Sequence, residues 1–204
     1  MADVVNNAIG NIDTITDGSS IALKSQSSPF VADFNFTDIY DEKLIKQFTK
    51  STERLIRSSR EYNAYIELLR TNITALNKDN ILSNITTADV GLEFHHYPLS
   101  LYDIIQVMML HNITNNISFT SFSLAKQVME EHFKHHIGLV PLTKTTHELA
   151  HSGNLFISKN QIFGDYTAFI NDYKDGMTVD LKTKITNMEN MSSKNVPSDF
   201  KGLF

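Results

Sequence analysis

Apolar positions along this chain recur with two different periods, and each period predicts a different kind of element. Between residues 38 and 78 they return every three, four or seven positions, which is the spacing of one face of a helix. We therefore predict a single long helix over residues 38–78, capped by Asp38 or Asp41. Its apolar stripe consists of Leu44, Phe48, Leu55, Tyr62, Ile66, Leu69, Ile73 and Leu76.

The residues that follow change to a shorter period. Val90, Leu92 and Phe94 alternate with other residues, which predicts a strand that ends at two adjacent histidines. The remaining predicted elements are helices over 100–112 and 121–136, a strand over 138–142, a short helix over 143–152 and a helix near 164–174. Together these predict an α+β fold that is mostly helical, with a small two-stranded unit packed on the long N-terminal helix.

Both ends of the chain are polar. Residues 1–37 are rich in Ser, Asn, Asp and Gly and are predicted to form a flexible arm, while residues 176–204 are predicted to form a polar tail. We expect no signal peptide, because the N-terminus lacks a basic start followed by an apolar stretch. No apolar run approaches the ~18 residues that cross a bilayer, so no membrane contact is expected.

Composition restricts the chemistry available to the chain. Its 204 residues include no cysteine, which excludes disulfides, cysteine-bound zinc, iron–sulfur clusters and thiol nucleophiles. Any metal ion must therefore be held by His, Asp, Glu or neutral oxygen. The formal net charge of −5 does not favour a protein that coats nucleic acid.

Basic side chains nevertheless concentrate on the predicted long helix. Helical geometry places five of them on one side, roughly opposite the apolar stripe: Lys43, Lys46, Lys50, Arg54 and Arg57. Such a row predicts contact with the phosphate backbone of DNA, without reading of base sequence. The alternatives are an ordinary solvated face, and a helix that pairs with a second copy of the chain.

Two pairs of histidines could carry chemistry. His147 and His151 are four residues apart, so a helix would present both imidazoles on one face. One member of the adjacent pair, His95 and His96, would complete a three-nitrogen metal site, and the other would point to the opposite side of the strand, where it could activate water. Zinc is the ion expected at such a site, with Mg²⁺, Mn²⁺ and Ni²⁺ as alternatives. The remaining group, His132, His135 and His136, is expected to form a solvated helix end.

The order of these motifs resembles a known family. EFHHYP at 93–98, LVPL at 139–142 and His-x-x-x-His at 147–151 together resemble HNH endonucleases with the ββα-metal fold, above all the DNase domain of colicin-type toxins and HNH-like proteins of large tailed phages. The resemblance covers about residues 88–157 and implies an HNH-like domain over 79–175 with a helical insertion. It implies a metal-dependent phosphodiester hydrolase that acts on DNA. The roles it implies are metal ligation for His95, His147 and His151, and general-base catalysis for His96.

A protein of this kind would work in the host cytoplasm or within the virion, with DNA and other phage proteins as partners. Two positions depart from the family pattern: Gly138 stands where the family has an asparagine, and Thr143 and Thr146 stand where some members have cysteines. The first departure favours an alternative, an inactive structural or interaction protein of a phage assembly.

A third reading takes HELAH at 147–151 as the H-E-x-x-H signature of metalloproteases. Glu148 would then be the general base, and the third ligand would have to come from further along the chain. The one glutamate that follows His151 in the sequence, Glu189, lies in the predicted polar tail.

Overall fold

A computed structural model describes residues 41–73, 76–82 and 84–194 of the chain. The predicted arm at 1–37 and the last ten residues of the predicted tail lie outside these ranges. The described elements confirm an α+β, mostly helical protein. In chain order they are α1 (Glu42–Ser58), α2 (Arg60–Asn72), β1 (Leu92–His96), α3 (Leu101–Thr114), α4 (Ser121–Phe133), β2 (Leu139–Thr143), α5 (Lys144–His151), a 3-10 turn (Lys159–Gln161), α6 (Tyr166–Asp172) and α7 (Val179–Lys194).

The predicted long helix over 38–78 is two helices, which corrects the prediction of one. Ser59 lies between them in an extended conformation, with φ −71° and ψ 149°. Its side chain accepts a hydrogen bond from the backbone N–H of Tyr62, so it serves as the N-cap of α2. Ile56 before the interruption and Tyr62 after it are both buried, so both helices turn their apolar positions to the same core.

Helices α1 to α4 enclose the main core. The apolar face of α1 packs on α3 and α4, and α2 packs on α4. Helix α3 is the most deeply placed, since Val107, Met108 and Met109 are all fully buried. Burial on nearly every side explains why its sequence shows little amphipathic contrast.

The two strands form an antiparallel pair on this helical core. In their register His95 is paired with Val140, and His96 with Leu139. Helices α3 and α4 are inserted between the strands, whereas α5 follows β2 without a loop. Thr143 is both the last residue of β2 and the N-cap of α5, and its side chain accepts a hydrogen bond from Thr146 N at 3.3 Å.

Helix α7 replaces most of the polar tail predicted over 176–204. Ile185 and Met188 of this helix are buried, and the hydroxyl of Ser192 accepts a hydrogen bond from the backbone of Lys159 at 2.9 Å. The exposed sides of this helix are polar, so its few apolar positions are far apart in the sequence. The polar composition of the segment therefore predicted a tail and not a helix. Among the described residues, no helix combines the length and apolar character required to cross a bilayer.

Gly138, directly before β2, lies too close to Tyr97, the residue after β1, to carry a side chain. A Cβ atom there would overlap the carbonyl oxygen of Tyr97 and lie 2.9 Å from Ile162 Cγ2. The same backbone approach forms the hydrogen bond from Tyr97 N to Gly138 O at 3.0 Å. The asparagine of the family pattern therefore has no room at this position.

We expect Gly138→Ala to lower the free energy of unfolding by about 2–3 kcal/mol, because the backbone must shift to admit the methyl group. The matched control is Gly91→Ala, where a Cβ atom meets nothing within 4 Å. Its expected change is within about 0.5 kcal/mol. Urea unfolding of both variants measures this, and equal changes in the two would contradict the close approach.

Candidate metal centre

The two adjacent histidines of β1 lie on opposite faces of the strand, as alternation of side chains requires. His95 faces α5, and its ring centre is 4.9 Å from that of His147 and 4.8 Å from that of His151. His96 faces the helical core, where it contacts α2 and α4. The strand thus divides the predicted site residues between two separate environments.

His95, His147 and His151 come together as the sequence predicts. One ring nitrogen of each lies within 4.8 Å of the others, and the Nε2 atoms of His147 and His151 are 3.0 Å apart. Nitrogen ligands at 2.0–2.1 Å from a tetrahedral zinc ion are separated by about 3.3 Å. Small side-chain rotations would therefore bring the three imidazoles to a common ion.

Glu93 binds His147 on the side of its ring that lies away from the other two histidines. Its carboxylate forms a short hydrogen bond with Nδ1 of His147, which directs Nε2 of that ring towards the other two histidines. Glu93 and His95 are two residues apart on β1, so they lie on the same face of the strand. Carboxylates in this position orient and strengthen histidine ligands in known metal sites. Sequence reasoning missed Glu93, although the spacing of two along the strand was available to find it.

Protonation also suits metal binding. Burial, together with the neighbouring charges of His147 and His151, lowers the pKa of His95 to about 4. Burial and His147 likewise lower the pKa of His151. Near neutral pH these two imidazoles have free lone pairs, as a transition metal ion requires. His151 is exposed, so the cluster opens to solvent beside α5.

His96, the predicted general base, does not join the cluster. It is 5% exposed, its ring stacks on Tyr62, and its Nε2 lies 3.0 Å from Nε2 of His132. Since Nδ1 of His132 donates to the carbonyl oxygen of Val128 at 2.8 Å, Nε2 of His132 accepts and His96 donates. His132 is fully buried, which corrects the expectation of a solvated helix end.

The five basic residues of the predicted DNA-binding row all lie on α1 and are exposed: Lys43, Lys46, Lys50, Arg54 and Arg57. They lie away from the buried residues Phe48, Thr52 and Ile56 of the same helix. Arg57 also forms an ion pair with Glu53 at 2.9 Å. Their contact with DNA stays a prediction.

In the metalloprotease reading the two histidines of the helix lie together, but Glu189 is not in the group of possible ligands that they form. Glu148 is exposed on α5, and Glu189 of α7 forms a hydrogen bond of 3.4 Å with the hydroxyl of Tyr166. A second group of possible ligands, Glu131, His136 and Asp172, lies where α4 meets α6. Its buried member, Glu131, is already bound by His136 and also accepts hydrogen bonds from Lys134 and from the hydroxyl of Tyr173.

The buried pair of His96 and His132 predicts loss of stability in acid. Burial lowers the pKa of His132 to about 4 and that of His96 well below its usual value. The unfolded chain, with pKa values near 6.5, binds protons that the folded chain excludes, so stability falls as the pH drops below 6.5. We expect His132 alone to cost on the order of 2 kcal/mol between pH 7 and pH 5.

Urea unfolding at both pH values, with EDTA present, measures this loss. The double variant His96→Phe/His132→Leu replaces both titrating groups by apolar ones and should show a smaller difference between the two pH values. An unchanged difference in the variant would contradict the assignment.

Comparison with known proteins supplies the biological setting. Neither the curated proteins nor the solved structures give a match. Residues 1–202 match one protein family, described as the Bacteriophage G278-like virion protein, and this match spans nearly the whole chain. It supports the expected phage origin and, of the two expected locations, the virion. The chain belongs to the Bacteriophage G278-like virion protein family.

Proposed function

We propose that this chain is a structural component of the phage particle that binds one divalent transition metal ion, preferably zinc, through His95, His147 and His151. The observation that carries the proposal is the convergence of three imidazoles from β1 and α5. The carboxylate of Glu93 is hydrogen-bonded to one of them, His147. Three nitrogen ligands suit zinc, whereas Mg²⁺ prefers oxygen.

The metal would fasten α5 to the sheet. Among the eight described residues of this helix Thr146 alone is buried, so α5 has little apolar surface of its own against the rest of the chain. A helix this short is not stable by itself in water. Ligands from both β1 and α5 would hold the helix through coordination where its own packing is sparse.

The partners we propose are other phage proteins, in keeping with a family of virion proteins. The exposed basic row of α1 supports a further contact, with the phosphate backbone of DNA.

A second candidate function is HNH-type hydrolysis of DNA. It is favoured by the arrangement of β1, β2 and α5, with one possible ligand on the first strand and two on the helix that follows the second, as in the ββα-metal unit. Three protein ligands leave a coordination position open, where a bound ion would act as a Lewis acid on a phosphate group. Because His96 is buried beside His132, it would have to reach solvent to act as the base.

Metal binding is tested by replacing one ligand. We expect His151→Gln to weaken zinc binding by at least 100-fold in calorimetric titration, and to abolish the rise in melting temperature that zinc gives the unaltered chain. The matched control is His111→Gln, which removes a histidine paired with Asp175 on another part of the chain. It should bind zinc as the unaltered chain does. Absence of zinc binding by the unaltered chain would refute the proposal.

Nicking of a supercoiled plasmid separates the two candidates. We expect no cleavage with Zn²⁺, Mn²⁺, Ni²⁺ or Mg²⁺, because His96 is buried away from the three histidines. Cleavage that requires the metal, that His95→Gln abolishes and that His111→Gln retains would instead establish the hydrolase. Digestion of casein that is lost in Glu148→Gln would establish the metalloprotease.

A further inference from the structure

Asp79 is a fully buried carboxylate in the segment between α2 and β1, and it accepts four hydrogen bonds. Oδ1 accepts from the backbone N–H groups of Ile81 at 2.7 Å and Leu82 at 2.8 Å, both in its own segment. Oδ2 accepts from the backbone N–H of Thr143 at 2.7 Å and from the hydroxyl of Thr146 at 2.6 Å. One side chain thus joins two parts of the chain more than sixty residues apart.

The second pair of these bonds is made at the beginning of α5. Thr143 is the N-cap of the helix, Thr146 lies in its first turn, and their hydroxyl oxygens are 3.0 Å apart. A negative charge at this end also suits the positive pole of the helix dipole. Because Thr146 is the one buried residue of α5, the Asp79 carboxylate is bound at the point where the helix enters the protein.

We infer that Asp79 is a positioning residue for the metal centre, acting through Thr143 and Thr146 on the direction in which α5 presents His147 and His151. This inference rests on the metal binding proposed above. His147 follows Thr146 directly, so the residue that Asp79 binds and the first helical ligand share one turn. Asp79 itself is not a ligand: it acts on the helix.

A metal site tolerates only small displacements of its ligands, so a contact that sets the direction of α5 affects metal binding. His151 lies five residues beyond Thr146, about 7.5 Å further along the helix axis. A tilt of about 10° at the first turn would move it by roughly 1.3 Å, whereas metal–ligand distances vary by only about 0.2 Å. A contact that fixes the direction of the first turn therefore decides whether the histidines reach one ion.

Two variants at Thr146 test the inference without removing the buried charge. Thr146→Val keeps the shape of the side chain but cannot donate to Asp79, whereas Thr146→Ser retains the hydroxyl. We expect Thr146→Val to bind Zn²⁺ and Co²⁺ 10- to 100-fold more weakly, as loss of an outer partner does in known metal sites. Thr146→Ser should remain within about threefold of the unaltered chain.

Asp79→Asn should behave as Thr146→Val does, because the amide can serve only one of the two pairs of donors with its oxygen. The matched control is Asp89→Asn, an exposed aspartate that accepts hydrogen bonds from Thr86. The visible absorption of bound Co²⁺ reports the ligand geometry directly, and it should change in Thr146→Val and remain unchanged in Thr146→Ser. A general loss of stability would not alter that spectrum in the folded protein.

The outcomes separate the two proposals. If the unaltered chain binds neither ion, the proposed metal function fails, and this inference fails with it. If the unaltered chain binds both ions and folded Thr146→Val binds them equally well with the same Co²⁺ spectrum, the metal function stands and the role of Asp79 is refuted. Should Asp79→Asn fail to fold, the pair of variants at Thr146 decides the question.

Discussion

The antiparallel pairing of β1 with β2 is the constraint on which the rest of the candidate site depends. It fixes the register His95 opposite Val140, and because strand side chains alternate, it directs His95 and His96 to opposite faces. The close approach at Gly138 belongs to the same pairing, since the carbonyl of Tyr97 occupies the space of a side chain. A shift of one residue in this register would exchange the environments of the two histidines.

The consequence is a strand held from both sides by imidazoles. On one face His95 meets the histidines of α5 near solvent; on the other, the hydrogen bond from His96 to His132 links β1 to α4 within the core. A buried polar pair is stable only when each member satisfies the other, and here both rings remain neutral because burial lowers their pKa values. The role that this geometry gives His96 is to anchor the strand that carries His95.

The sequence predicted those parts of the molecule that follow from local periodicity. The spacing of four placed His147 and His151 on one face, and the alternation before His95 predicted a strand in the correct place. Helix α7 was missed because burial against distant residues, and not the local pattern, defines it. The interruption at Ser59 has a local signal, a serine N-cap, but the apolar period that continues across it predicts one helix. Propensity and spacing are weak guides wherever packing against distant residues decides the conformation.

The supporting residues of the site were missed for a different reason. Glu93, His132 and Asp79 bind partners 36 to 67 positions away along the chain. The spacing of two places Glu93 on the same strand face as His95, but no period in the sequence connects these residues with their distant partners. Each nevertheless supplies what a cluster of histidines cannot supply for itself: a fixed tautomer, a fixed strand or a fixed helix direction. Possible ligands can therefore be predicted from spacing alone, whereas a site that holds them in place requires the fold.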